Sequence, residues 1–427
     1  MNSSNPNSFF PYEYKTKTLG NGLKVILIKM PSNGIVSYYT IVRTGSRDEY
    51  EPGHTGFAHF FEHMMFRGTK KYPGNVYDKI LTEIGADGNA YTTDDYTCYH
   101  INFTVDNLEK VIDLESDRFQ NLFYPEQEFQ TEAGAVYGEY RKGKASPFFW
   151  IWEALCNTAF EKHTYKHTTI GFEEDIKAMP KMYEYSLSFF NRYYRPDNCV
   201  ILVVGDIDYD KTFSLIEKYY TSWQKGYVPP KIEPEPEQTK EKKVTVKYPG
   251  KTAPIMVVAY KGLPFNPQDR NYVATILFGN LAFGSNSELY KKLYVREQKV
   301  IFLEEEFNFN RDPFLWMVWA QVKDEKDIEY VENEIINAIE HFKENPPDAK
   351  KLEDLKKNAK YSFLMNLETP NKVGSGLARI LALSADIKAI DEFYKTMESI
   401  TPQDIQNVAK NFFVPNKRTI VVLKGSE

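Results

Sequence analysis

Two stretches of the chain carry the same hydrophobic pattern. Residues 190–206, FNRYYRPDNCVILVVGD, and residues 411–425, NFFVPNKRTIVVLKG, each pass from an aromatic helix end through a proline into a β-branched strand. Pro196 and Pro415 correspond at an offset of 219 residues, which predicts an internal duplication. Between the copies, residues 223–243 read WQKGYVPPKIEPEPEQTKEKK, with prolines at 229, 230, 234 and 236, the composition of an extended linker. The division expected is a first domain over 1–225, a linker over 226–243 and a second domain over 244–427. Within the first copy, 14–29 and 36–43 read as strands, 90–104 alternates as a strand, 107–123 is helical, and the apolar run 199–204 suits a buried strand. Strands with helices on one face predict an α+β fold made of two homologous α/β sandwiches.

A short helix pattern interrupts this framework at residues 53–69, GHTGFAHFFEHMMFRGT. Phe57, Phe60, Phe61 and Met64 suit a core, and His59, Glu62 and His63 fall between them as H-x-x-E-H. Residues four apart on a helix lie one above the other, so both imidazoles can reach one metal ion, with Glu62 beside it and available to move protons. A buried helix that merely carries two histidines is the plainer reading, and the two are compatible. A catalytic zinc takes three protein ligands and leaves a fourth position to water. Glu139 is the candidate third ligand. It lies seven residues after Glu132 on the helix-forming segment 126–142, so one carboxylate can bind metal while the other orients a ligand. Spacing alone leaves both equally readable as a solvated helix face.

These residues resemble the pitrilysin and insulysin family of zinc peptidases, which includes insulin-degrading enzyme and the mitochondrial processing peptidase. The family's third ligand stands 76 residues after the second histidine, which is Glu139 here, and its auxiliary glutamate stands seven earlier, which is Glu132. Gly45-Ser46-Arg47-Asp48-Glu49, Phe66-Arg67-Gly68-Thr69, Asn89-Ala90-Tyr91-Thr92-Thr93, His163-Thr164-Tyr165 and Ile170-Gly171 resemble family segments in the same order. The resemblance implies one Zn2+ per chain held by His59, His63 and Glu139, with Glu62 as the general base of peptide hydrolysis. It also implies an extended peptide laid along a sheet edge at Asn89, Ala90 and Tyr91. The family often supplies an arginine with a tyrosine seven residues later. Here Arg296 is present and the later position is Leu303. The missing tyrosine and the modest length imply a partner, either a second related chain or a second copy of this one, closing over the first like a shell. A non-catalytic subunit and a peptide-binding protein with a structural zinc are the alternatives. The second copy has no histidine between His167 and His341, and Phe278 stands at the offset position of His59, so it is expected to hold no such metal site.

Composition narrows the remaining classes. At 427 residues, 42% hydrophobic and 15% aromatic, the chain can bury sizeable cores in two or three domains. A net charge of −6 without a basic tract argues against nucleic acid. Cys98, Cys156 and Cys199 suit neither a disulfide framework nor a cysteine zinc site and are expected to be buried thiols. No apolar run reaches membrane-spanning length, which predicts a soluble protein. The opening MNSSNPNSFFPYEYK has no apolar secretory core, and the compartment stays open between cytoplasm and periplasm.

Overall fold

The structure, a computed structural model, describes residues 8–426. The opening residues 1–7, part of the stretch read for a secretion leader, lie outside them. In chain order the first half forms β1 (Tyr14–Thr18), β2 (Lys24–Lys29), β3 (Ile35–Val42), α1 (Phe57–Met64), α2 (Gly74–Glu83), β4 (Asp87–Thr92), β5 (Thr97–Thr104), α3 (Leu108–Asn121), α4 (Glu126–Gly143), α5 (Pro147–Ala159), α6 (Glu173–Ala178), α7 (Tyr183–Tyr193), β6 (Cys199–Gly205) and α8 (Tyr209–Tyr220). The second half forms β7 (Lys242–Tyr248), β8 (Ile255–Lys261), α9 (Arg270–Phe283), α10 (Glu288–Tyr290) with a π-helical turn Lys291–Arg296, β9 (Val300–Phe307), β10 (Leu315–Val322), α11 (Ile328–Glu344), α12 (Ala349–Met365), α13 (Pro370–Ser384), α14 (Lys388–Ser399), α15 (Pro402–Phe412) and β11 (Arg418–Gly425).

The two halves build matching sheets, the first with one further strand, β1. One has the order β1-β2-β6-β3-β5-β4 and the other β7-β11-β8-β10-β9. In each, one pair is parallel, β2 with β6 and β7 with β11, and the neighbours beyond it are antiparallel. Strand β6 begins at Cys199 and β11 at Arg418, the same 219-residue offset that the prolines show. The fold is α+β with mixed sheets, as the pattern predicts.

Each sheet is covered on both sides and not on one face as expected, which is why its central strands read as uninterrupted apolar runs. In the second sheet, Ile255, Val257 and Ala259 of β8 pack with Ile151 and Leu155 of α5. The alternate residues Met256, Val258 and Tyr260 pack instead with Leu277, Ile335 and Val408 from α9, α11 and α15. In the first, α13 lies against β3. Tyr39 donates its hydroxyl to the Asn371 carbonyl at 2.9 Å, and Arg43 Nε donates to the Ala382 carbonyl at 2.7 Å. Gly374 is required there, because a Cβ would stand 2.1 Å from the Tyr39 ring.

The compact units therefore differ from the contiguous spans 1–225 and 244–427. One contains residues up to 140, 167–232 and 363–387, and the other contains 141–166, 233–362 and 388 onward. Helix α5 of the first half belongs to the second unit, and α13 of the second half belongs to the first. The physical reason is that each sheet needs an apolar helix on its second side, and each receives it from the other half of the chain. The linker has no regular secondary structure up to β7, as its prolines require. Two strand expectations resolve into hairpins. The 14–29 stretch turns at Gly22, with φ +93°, and 90–104 turns at Thr93, whose amide donates to the Tyr96 carbonyl at 2.8 Å. All three cysteines are buried as thiols. Among the described residues, no helix is long and apolar enough to cross a membrane.

Candidate metal centre

Helix α1 is held from one side by its apolar residues. Phe57, Ala58, Phe60, Phe61 and Met64 are at most 1% exposed, with Phe61 stacked on Phe189 and Phe60 edge-on to Phe129 of α4. This packing leaves His59, Glu62 and His63 in half-buried positions along the rest of the helix. The start of α1 is set by a buried carboxylate. Glu49 accepts from the amides of Gly56 and Ala58, each at 2.7 Å, and answers two amides that a helix start leaves unpaired. Burial raises the Glu49 carboxyl well above its usual range, against the pull of those two amides. Gly56 has φ +91°, and a Cβ there would meet the Ile170 carbonyl at 2.6 Å. The Gly45–Glu49 and Ile170-Gly171 segments thus serve the helix start.

Glu132 and Glu139 lie two turns apart on α4. Glu139 Oε2 stands 3.4 Å from His59 Nε2 and 3.6 Å from His63 Nε2. The three ligand atoms lie within 4.8 Å of one another. A tetrahedral ion with bonds of about 2.1 Å has donor–donor edges of about 3.4 Å, so two imidazole nitrogens and one carboxylate oxygen so arranged fit the donor set of a catalytic zinc. Burial and the neighbouring His63 push the His59 imidazole down to about 4, which keeps it neutral with a lone pair to offer. The hydrogen bond from His63 Nδ1 to Glu132 Oε1, at 2.9 Å, is the main cause raising the His63 imidazole above its ordinary value. Glu132 is itself held below the usual carboxylate range: burial acts to raise it, and the combined pull of His63 and Arg67 prevails.

Glu62 accepts a hydrogen bond at 2.7 Å from the Thr92 hydroxyl. Burial raises its carboxyl and Thr92 opposes the rise. Thr92 ends β4, which is the edge strand of its sheet. Asn89, Ala90 and Tyr91 lie on that strand, and the Ala90 amide donates at 2.9 Å to Oδ1 of the preceding Asn89. His59, His63, Glu62, Glu132, Glu139 and the three β4 residues all belong to the first unit. Arg296 belongs to the second, more than half exposed, with Nη1 3.9 Å from Glu288. Leu303, at the position where the resemblance calls for a tyrosine, is a buried residue of β9. At the offset positions of His59, Glu62 and His63, α9 carries Phe278, Leu281 and Ala282, and Phe278 is fully buried against Phe413 and Trp316. Sequence reasoning assigned no role to Glu49, Arg67 or Thr92. All three stand in segments that resemble the family, but their partners are seven, sixty-five and thirty residues away and only folding reveals them.

Comparison with known proteins places the chain in a family. The model of the insulinase family (peptidase family M16) matches residues 24–172, and that of the peptidase M16 inactive domain matches residues 183–359. The chain is 28% identical over 430 residues to the zinc protease PqqE of Helicobacter pylori, covering 99% of this chain and 95% of that protein. Its fold is similar to the crystal structure of a protease from Helicobacter pylori, with a TM-score of 0.91 and 27% identity over 97% of this chain and 100% of that one. It also resembles the periplasmic protease PqqL from Escherichia coli, with a TM-score of 0.75 and 19% identity, where 97% of this chain spans 48% of that one. With both halves matched in order, the chain belongs to the M16 family of insulinase-like peptidases.

Proposed function

We propose that this chain is a zinc-dependent endopeptidase that cleaves peptides or small unfolded polypeptides bound in extended form. The observation that carries the reading is the convergence of His59 Nε2, His63 Nε2 and Glu139 Oε2 beside Glu62. These three residues would hold the ion, leaving a coordination position open. Zinc bound there would polarise a scissile carbonyl and acidify water. Glu62 takes the proton of the attacking water and delivers it to the leaving amine, while the Thr92 hydroxyl holds one of its oxygens. The peptide pairs with β4, and the Ala90 amide exchanges the Asn89 side chain for a substrate carbonyl. For Arg296 the support is the resemblance alone.

Retention of His59, His63, Glu62 and Glu139 speaks against the non-catalytic reading. The chain's match to about half of PqqL, together with Leu303 in place of a tyrosine, supports a second chain of the same fold as the other half of the working enzyme. A self-dimer competes with it. Replacing Glu62 with Gln should leave zinc binding intact and cut turnover of a peptide library by about 10²-fold or more. Cleavage by that variant at the wild-type rate would remove Glu62 from the chemistry. Full activity of the purified chain alone, as a monomer, would defeat the partner proposal.

A further inference from the structure

The carboxylate of Glu132 is divided between two donors. Its Oε1 meets His63 Nδ1 at 2.9 Å, and its Oε2 meets Arg67 Nε at 2.8 Å and also Arg67 Nη2. With a side chain only 6% exposed, Glu132 has little solvent to satisfy a released oxygen. Arg67 is fixed in turn by its backbone: its amide donates to the Met64 carbonyl at 2.9 Å and its carbonyl accepts from the Gly74 amide at 3.0 Å. Donors at both ends of the carboxylate set its plane. A carboxylate so held keeps the proton of His63 on Nδ1 and turns the Nε2 lone pair toward Glu139. His59 has no such support, because its Nδ1 is buried without a hydrogen-bond partner.

We propose that Arg67 is a positioning residue of the metal centre, acting on His63 through Glu132, so that one imidazole is oriented by a three-residue relay and the other by the packing of α1 alone. The inference rests on the zinc reading given above. Without Arg67, Oε2 loses both donors, the carboxylate is free to turn, and the His63 proton can move to the nitrogen that should face the ion.

The test is zinc affinity of the full chain, measured by competition with a chelating dye, for wild type, Arg67→Leu, Arg67→Lys, Glu132→Gln and the Arg67→Leu/Glu132→Gln pair. Thermal melting of the metal-free proteins reports folding. Arg67→Leu should weaken zinc binding by about 10- to 100-fold, the range found when a ligand's outer support is removed. Arg67→Lys, which keeps the charge and one donor, should recover part of the loss and stands in if the leucine variant does not fold. On the Glu132→Gln background, Arg67→Leu should add less than about twofold, because the path it acts through is already broken. Affinity of Arg67→Leu within twofold of wild type, or an equal loss on both backgrounds, overturns the proposal. His59→Ala and Glu139→Ala separate the two levels. If they leave zinc affinity unchanged the metal-centre reading fails, whereas if they weaken it and Arg67→Leu does not, only the relay fails.

Discussion

Glu62 and His63 are adjacent in the chain and are steered by different neighbours. Thr92 holds Glu62, and Glu132 holds His63. The Thr92 hydroxyl fixes one oxygen of the proposed base, so Thr92→Val should lower kcat by about tenfold with zinc content and KM little changed, and Thr92→Ser should restore most of it. Steady-state kinetics with metal analysis checks this; a Thr92→Val enzyme with unaltered kcat would mean that the Thr92 hydroxyl does not place Glu62. The ligand pair and its base were legible because a helix brings residues three and four apart together. Their supports were not legible, since Arg67 meets Glu132 across 65 residues and nothing in the surrounding letters signals that contact.

Two edge strands show how an element limits what can bind or titrate. At β4 the Ala90 amide is satisfied by Asn89 and not needed from a neighbouring strand, so proline is tolerable there by the rule that admits it to sheet edges. Ala90→Pro should keep zinc binding and raise KM for extended peptides about tenfold; unchanged KM would place the peptide elsewhere. At β9, burial is the main cause raising the Glu305 carboxyl to about 7. Its folded value lies above the unfolded one, so between about pH 4.5 and 7 the folded chain keeps a proton that the unfolded chain has released, and stability falls as pH rises through that window. Glu305→Gln should match wild type near pH 4.5 and exceed it at pH 8 by on the order of 1–3 kcal/mol in denaturant unfolding. Equal stability at both pH values would show that the carboxyl is solvated. The turn Thr93-Asp94-Asp95-Tyr96 interrupts the alternation with a run of polar residues, which is the local signal that 90–104 is a hairpin and not one strand.

The duplication is visible in the letters because a proline followed by a run of buried β-branched residues recurs at Pro196 and Pro415. The exchange of α5 and α13 is not visible, because an apolar helix packs against either sheet equally well and its own sequence does not say which sheet lies within reach. Loss of the metal residues from the second half is likewise plain at Phe278, while the use of that position as core emerges only with Phe413 packed against it at 4.4 Å. Whether the whole molecule works with a second chain is read by mixing: adding a related chain should raise peptide turnover of this one at least tenfold, and no change would favour a self-sufficient enzyme.

The most direct test is anomalous diffraction at the zinc absorption edge from crystals of the zinc-loaded protein. One peak per chain is expected, within bonding distance of His59 Nε2, His63 Nε2 and a Glu139 carboxylate oxygen, and no peak beside Phe278. A peak lacking any of those three ligands, or none at that place with zinc supplied, would contradict the zinc reading.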